Sequence, residues 1–331
     1  MKKSLVLIII LINLFFSLNL ILAEEEITFF AFGHVYVDYD ILEKSIPLII
    51  KEKPDFVIFL GDSVSNNFGN TWGKLNYFIE QIQKEGIKIY FVAGNHDILE
   101  KEEDKQIFLE KTNNSLYQEF NLKNTTFIIM NSNTEKSHYY DISKEQIDSF
   151  KSLIIKDHNK KFIFVHHCLF YQDNKELCNE RGNLISKKSF WNSKLVPLIK
   201  DEVDAVFLGD LGGKEPYLSY KEDNVNYYGV GFSENNLKIP PHMLKVQISP
   251  NELKIEPILL VTNLTSIFLT EESFPKKSLL FKAKKFYINN LQFFTIFLFI
   301  LIIILTILSL KNKFFHEGRI IPSLPHISSF V

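Results

Sequence analysis

The chain has 331 residues, of which 46% are apolar and 23% are charged, and its formal net charge at pH 7 is −2. This length and apolar content exclude a disordered chain and are sufficient for one large domain or two small ones. A net charge near zero provides no general attraction for the phosphates of a nucleic acid, so we expect no nucleic-acid partner.

The amino terminus has the pattern of a secretory signal peptide. The first three residues, MKK, precede an apolar stretch that ends at Ala23, before three glutamates. A basic start, an apolar centre and a small final residue are typical of a segment that is removed after export. We therefore predict a signal peptide over residues 1–23. Because Ile21 is larger than the residue usually found at its position, an uncleaved anchor is the alternative.

Between residues 24 and 260, apolar segments of strand length alternate with amphipathic segments of helix length. Nearly continuous apolar strands that alternate with helices are typical of a largely parallel sheet covered by helices on its faces. Two helices are predicted at 72–86 and 143–157, and Ser143 with Gln146 forms the signature of a capping box at the second one. The predicted strands are Ile27–Phe32, Phe56–Leu60, Ile89–Ala93, Thr126–Met130, Phe162–His166 and Ala205–Leu208.

Three later segments are strand-like and have no helix between them. They lie at 227–232, 243–250 and 253–260. We expect them to add an antiparallel part to the sheet, which gives an α/β fold class with a layered sandwich.

The carboxyl-terminal part of the chain contains a predicted transmembrane helix at 291–310. This segment is long enough to cross a hydrocarbon core of about 30 Å and has no polar stripe to face water. We predict a connector at 261–290 and a short cytoplasmic tail at 311–331. The main domain is then extracytoplasmic on a single-pass membrane protein, although the basic residues around the helix favour the reverse orientation on their own. The polar residues of the segment are Gln292, Thr295, Thr306 and Ser309.

The chain has two cysteines, Cys168 and Cys178. In an oxidising compartment they could close a small surface loop. An even number of cysteines permits a disulfide without requiring one, so both the paired and the unpaired states remain open.

Polar residues follow four of the predicted strands at the point where each strand ends. Because ligands bind outside the carboxyl ends of the strands in α/β sheets, we expect these residues to converge. Carboxylate, amide and imidazole groups are ligands for borderline or hard divalent ions. Taken singly, each residue has a structural alternative as a turn residue, a helix cap or a buried histidine. The residues are Asp62, Asn95, His96, Asp97, His166, His167 and Asp210.

The order of these motifs resembles the calcineurin-like metallophosphoesterases over roughly residues 27 to 260. The segment "DFVIFLGD" precedes a strand that ends in "GNHD", and a later strand ends in histidine. The resemblance implies a layered αββα sandwich, a phosphate ester substrate and a divalent ion, either Mn, Mg, Fe or Zn. Protein partners are not indicated.

The resemblance also implies roles for the metal ligands. Asp62 would bridge two ions, and Asn95 would bind the second ion together with His166 or His167. We favour His166 because it ends its strand directly. Asp210 would replace an imidazole of the family with a carboxylate, which shifts the preference toward Mg²⁺ or Mn²⁺.

The catalytic residues implied by the resemblance are His96 and Asp97. His96 would donate a proton to the phosphoryl or leaving-group oxygen, and Asp97 would orient it or would only hold the loop. The motif that would supply the first ion is altered, because His34 stands in the place of an aspartate and Tyr36 in the place of a histidine. In the last motif, Gly212 replaces a histidine. His34 could still contribute a nitrogen, and the whole pattern favours one ion over two.

Three hypotheses follow from these departures. The chain is a membrane-anchored phosphoesterase with a reduced site, or it is an inactive binding or scaffolding module that keeps the fold. Alternatively, the first and last motifs lie elsewhere. The candidates for this are His34, Asp38 and Asp40 near the first strand, and His242, which lies well downstream. Fold alone cannot decide among them, since function is determined by the site.

Overall fold

The computed structural model describes residues 26–65, 71–98, 102–134, 140–156, 160–169, 189–211, 217–222, 224–232 and 241–260. All of these residues lie in one compact unit, Met1–Phe274. Within the described ranges, no helix has both the length and the apolar character needed to cross a bilayer. The predicted signal peptide, connector, transmembrane helix and cytoplasmic tail lie outside the described residues.

The described residues form β-strands, α-helices and two short helical turns. The strands are β1 (Ile27–Phe32), β2 (Phe56–Phe59), β3 (Lys88–Phe91), β4 (Gln118–Leu122), β5 (Thr125–Ile129), β6 (Lys160–Val165), β7 (Ala205–Leu208), β8 (Tyr217–Glu222), β9 (Val225–Val230), β10 (His242–Ser249) and β11 (Glu252–Leu259). The α-helices are α1 (Tyr39–Lys44), α2 (Ile46–Glu52), α3 (Thr71–Lys84), α4 (Glu102–Thr112), α5 (Lys144–Lys156) and α6 (Val196–Ile199). A 3₁₀ turn spans Val35–Val37, and a π turn spans Trp191–Leu195.

The strands form two sheets, with the orders β11-β10-β1-β2-β3 and β4-β5-β6-β7-β9-β8. In the first sheet, β1, β2 and β3 are parallel, and β10 is antiparallel to both β1 and β11. In the second sheet, β5, β6, β7 and β9 are parallel, with antiparallel β4 and β8 at the edges. This mixed α/β architecture of two sheets confirms the predicted fold class at that level.

The core explains why the strands are apolar throughout. Along β1, Phe29 belongs to the cluster between the two sheets, whereas Phe30 belongs to the cluster under helices α1 to α3. Between the sheets, the Phe29 ring stacks on Phe56 at a centroid distance of 4.7 Å and meets Phe207 edge-on at 5.5 Å. Each central strand therefore buries both of its faces, and alternation of apolar and polar residues disappears.

Several predicted elements differ in detail from those observed. Strand β9, which was expected in an antiparallel part, is antiparallel to β8 but parallel to β7, while β10 and β11 are antiparallel as expected. At α5, the N–H of Gln146 bonds to the Ser143 hydroxyl at 3.3 Å, which confirms half of the capping box. The Gln146 side chain instead bonds to the backbone N–H and C=O of Asn131, at 2.9 Å each, and so joins the helix to the end of β5.

The structure gives the bonding state of one of the two cysteines. Cys168, which lies three residues after β6, is disulfide-bonded. Its predicted partner, Cys178, lies outside the described residues.

Candidate metal centre

The loop after β2 carries Asp62 in a left-handed conformation with φ 55°. Aspartate tolerates this region better than most residues, because its short polar side chain can bond locally. Gly61 precedes it with φ 91°, and a Cβ there would lie 2.3 Å from the Nδ1 atom of His166. The Gly-Asp pair therefore provides both the turn and the close approach of the buried His166 ring to the loop.

Asp97 holds this loop through the backbone. One of its carboxylate oxygens accepts the N–H groups of Ser63 and Val64, and the other accepts those of Asp62 and Gly94, at 2.8–2.9 Å. Burial and the neighbouring Asp62 raise the pKa of Asp97 to about 7, against the opposing effect of these donors. Asp97 thus ties the loop after β2 to the loop after β3. Its orientation of the His96 ring remains a prediction.

The Asp62 carboxylate lies at the centre of the site and is 1% exposed. Its Oδ1 accepts the backbone N–H of His96 at 2.9 Å. Its Oδ2 lies 3.3 Å from the Nε2 atoms of both His34 and His166. Burial raises the pKa of Asp62, but the two imidazoles outweigh burial and hold it well below its usual range, so the group is ionised.

His166 is completely buried, and its ring has a fixed orientation. Nδ1 donates to the carbonyl oxygen of Leu60 at 2.8 Å, because that oxygen can only accept. Nε2 lies beside Asp62 without hydrogen-bond geometry and has no hydrogen-bond partner. Burial lowers the pKa of His166, but the carboxylates of Asp62 and Asp210 outweigh burial and raise it to about 9.

His34 approaches Asp62 from the other side, in a left-handed conformation with φ 56°. Its Nδ1 bonds to the carbonyl oxygen of Phe232 at 3.0 Å. Burial lowers the pKa of His34, yet Asp62 and Asp210 raise it overall. The ring therefore resembles His166 in its backbone anchor and in its electrostatic partner.

His167 belongs to a set of hydrogen bonds separate from that of Asp62. Its Nδ1 lies 2.6 Å from the Ser132 hydroxyl, and its Nε2 lies 3.0 Å from Oδ1 of Asn95. The Tyr140 ring stacks on it at a centroid distance of 3.5 Å. Burial and the neighbouring His166 hold the pKa of His167 well below its usual range, so this imidazole is neutral at pH 7.

His96 lies at the partly exposed rim of the site. Its Nε2 is 3.3 Å from the Tyr36 hydroxyl, and the two rings pack at a centroid distance of 4.7 Å. Its Nδ1 is buried and has no hydrogen-bond partner. The backbone bond to Asp62 fixes the position of the residue, and Tyr36 fixes the direction of its ring.

The structure therefore brings the predicted residues together in two groups. Within each group, one ligand atom of every residue lies within 4.8 Å of the others. Asn95 connects to the second group through His167, whereas Gly212 lies outside the described residues. The groups are His34, Asp62 and His96, and His166, His167 and Asp210.

Sequence reasoning missed Ser132, which follows β5. The predicted strand at 126–130 is followed by the polar triplet Asn131, Ser132 and Asn133, a signal of the same kind as the four that were used. Asn133 also reaches the site region, because its amide donates to the carbonyl oxygen of Ala93 at 3.0 Å.

The donor set suits a divalent ion on the His166 side of Asp62. The Nε2 atom of His166 is buried, fixed in direction and without a hydrogen-bond partner, which is the state expected of a ligand. Asp62 and Asp210 would add carboxylate oxygens and Asn95 an amide oxygen, which are donor types that hard divalent ions accept. On the His34 side, the hydroxyl of Tyr36 and the ring of His96 bond to each other, and this side offers a poorer set.

Comparisons with known proteins agree with this architecture. The model of the calcineurin-like phosphoesterase family matches residues 29–212. The fold is similar to that of a dimetal phosphatase from Danio rerio, with a TM-score of 0.54 at 12% identity over 73% of this chain and 98% of that one. A purple acid phosphatase from yellow lupin (Lupinus luteus) seeds also has a TM-score of 0.54 at 12% identity, over 77% of this chain and 57% of that one. A comparison with curated proteins finds no significant match.

Proposed function

The chain belongs to the calcineurin-like phosphoesterase family, and we propose that it hydrolyses a phosphate ester with one divalent ion held by Asp62, Asn95, His166 and Asp210. The observation that carries this proposal is the state of the two ring nitrogens of His166. Its Nδ1 is held by a backbone carbonyl, and its unpartnered Nε2 lies 3.3 Å from the Asp62 carboxylate. Three oxygens and one nitrogen favour Mg²⁺ or Mn²⁺ over Fe or Zn.

The residues around the ion have separate tasks. When bound, the ion supplies Lewis acidity, which activates water and offsets phosphate charge. His96 donates a proton to the departing oxygen, since its ring lies at the open rim and its backbone N–H is fixed on Asp62. Asp97 keeps the loops of Asp62 and His96 in register through its four backbone N–H partners.

The competing proposal is an inactive binding or scaffolding module that keeps the fold. The observation that favours it is the contact between Tyr36 and His96, in which the hydroxyl lies 3.3 Å from the Nε2 atom that would serve in proton transfer. A ring nitrogen that is engaged inside the protein is less available to a substrate. The two proposals differ in whether His96 is needed for any activity.

The proposed location is extracytoplasmic, with a single membrane anchor at 291–310. The apolar segments at the two ends of the sequence support it, as does the disulfide bond of Cys168, because disulfides persist in oxidising compartments. Protease treatment of sealed membrane vesicles whose cytoplasmic face is outward tests it. Protection of the domain at 24–260 in intact vesicles is expected, and cleavage of this domain before the vesicles are opened would contradict it.

Elemental analysis of the purified full chain after loading with Mn²⁺ tests the proposed site. We expect about one ion per chain in the wild type and none in Asp62→Asn, because asparagine tolerates the left-handed backbone but lacks the charge. Asp55→Asn is the matched control. Asp55 precedes β2 at the end opposite Asp62, where it accepts the N–H of Thr28 at 2.8 Å, and its variant should keep the ion.

Activity is measured on the same samples with p-nitrophenyl phosphate and its diester. His96→Gln should keep the ion and lose roughly 100-fold or more in kcat, which is the usual effect of removing a general acid. Two ions per chain would contradict the one-ion site. No bound ion after loading would overturn the hydrolytic proposal and leave the binding module.

A further inference from the structure

The tandem histidines at the end of β6 have different hydrogen-bond states. His166 keeps one ring nitrogen without a partner, whereas both ring nitrogens of His167 are engaged, with Ser132 on one side and Asn95 on the other. The backbone N–H of His167 also lies 3.3 Å from the Ser132 hydroxyl oxygen. His167 is 2% exposed and its ring is covered by Tyr140, so it is as rigidly placed as a core residue.

The partners of the ring determine where its single proton lies. Oδ1 of Asn95 can only accept, so Nε2 of the neutral His167 ring carries the proton and donates it. Nδ1 must then accept, and the hydroxyl of Ser132 donates to it at 2.6 Å. The three side chains form a chain of donors directed from Ser132 through His167 to the carbonyl oxygen of Asn95.

We infer that His167 is a positioning residue, not a metal ligand, and that it fixes the Asn95 amide so that its carbonyl oxygen is presented to the ion. A carbonyl oxygen has two lone pairs, and the hydrogen bond from His167 occupies only one of them. An amide side chain with no partner can rotate and offer its NH₂ group to the ion instead. This inference rests on the proposed function, because it assigns a role relative to that ion.

Direct ligation by His167 is the competing interpretation, because a ligand atom of His167 lies within 4.8 Å of those of His166 and Asp210. Ligation would require one ring nitrogen to leave its present partner. Breaking the bond to Asn95 would release one proposed ligand in order to gain another, and breaking the bond to Ser132 would leave the O–H donor of a buried hydroxyl without this acceptor.

Two substitutions of His167 distinguish these roles in the purified full chain. His167→Phe keeps a ring against Tyr140 and removes both nitrogens, whereas His167→Gln keeps an amide that can donate to Asn95 and accept from Ser132. Mn²⁺ affinity is measured by titration calorimetry, and the number of coordinated imidazole nitrogens is measured by pulsed electron paramagnetic resonance. Tyr140→Phe, which keeps the stacked ring, is the matched control.

We expect His167→Phe to bind Mn²⁺ about 10- to 100-fold more weakly, which is the usual effect of losing a partner of a metal ligand. His167→Gln should stay within about 3-fold of the wild type, and Tyr140→Phe should bind as the wild type does. The count of coordinated imidazoles should be unchanged in both His167 variants. Thermal unfolding before Mn²⁺ is added checks that each variant is folded.

The other outcomes separate this inference from the proposed function. If the wild type binds Mn²⁺ and His167→Phe binds it equally well, the positioning role is wrong and the proposed site remains. If His167→Gln is as weak as His167→Phe and both lose one coordinated imidazole, His167 is a ligand. If the wild type binds no Mn²⁺, the proposed function fails and the positioning role fails with it.

Discussion

The two sides of Asp62 look alike at first and differ in what they can bind. His34 and His166 approach the same carboxylate oxygen at 3.3 Å, and each ring has its Nδ1 on a backbone carbonyl oxygen. The next neighbours differ. On the His166 side lie a carboxylate and an amide oxygen, from Asp210 and Asn95, whereas on the His34 side Tyr36 and His96 bond to each other.

This difference shows that one backbone frame can carry two sides with different sets of donors. The position of Asp62 depends on Asp97 and on the glycines beside it, and neither depends on which ions are present. A Cβ at Gly94 would lie 2.2 Å from both the backbone nitrogen and Oδ1 of Asp62. The frame is therefore preserved by backbone packing, while affinity for an ion depends on how many donors each side offers.

Removal of each imidazole in turn is the strongest test of the difference between the two sides. His166→Asn should weaken Mn²⁺ binding about 1,000-fold, because the fixed nitrogen ligand is lost. His34→Asn, which suits the left-handed backbone at that position, should weaken it less than about 10-fold. Calorimetric titration of both full-chain variants measures the two effects. Equal losses would mean that the two sides bind ions alike.

The pH dependence of stability tests whether Asp62 holds both imidazoles in the charged form. The pKa of His166 is raised from 6.5 to about 9, and that of His34 is raised as well. A folded pKa above the unfolded one stabilises the fold fully below about pH 6.5, and this contribution is lost as pH rises through about 9. With a chelator present, the free energy of unfolding should fall by up to about 3 kcal/mol between about pH 7 and 9.

The same measurement has an internal control. Asp97, whose pKa is about 7, is already half titrated where this window begins and adds only a small change to it, and His167 titrates below it. Asp62→Asn removes the charge that raises the pKa of both imidazoles, so denaturant unfolding of this variant should show a much flatter profile over the same pH range. A wild-type profile that is equally flat would show that the imidazoles are not charged by Asp62.

The sequence indicates much of the fold and fails where local patterns are weak. Apolar runs locate β1, β2, β5, β6 and β7, because their residues are buried on both faces. Strand β4, "QEFNL", was not predicted, since it lies at a sheet edge and none of its residues is fully buried. Strand β4 is recognised only by its pairing with β5, in which Phe120 lies opposite Phe127 and stacks on it.

The sequence predicts the candidate site only in part as well. Asp62, Asn95, His166 and Asp210 follow strands and are visible as a motif. The different roles proposed for His166 and His167 are not visible in the sequence, because they depend on Ser132, 35 residues before His167. Sequence spacing identifies which residue types reach the edge of the sheet. Contacts between distant segments determine which ring nitrogens of His166 and His167 have hydrogen-bond partners.

Tyr36→Phe has the smallest expected effect and addresses the choice between an enzyme and a binding module. The variant keeps the ring that packs on His96 at 4.7 Å and removes only the hydroxyl near Nε2. If Tyr36 directs the proton donor, kcat on p-nitrophenyl phosphate should fall about 3- to 10-fold, and Mn²⁺ affinity should stay unchanged. A rise in kcat would mean that the hydroxyl withholds His96 from the substrate. That outcome would mean that the Tyr36 hydroxyl inhibits His96 and does not direct it.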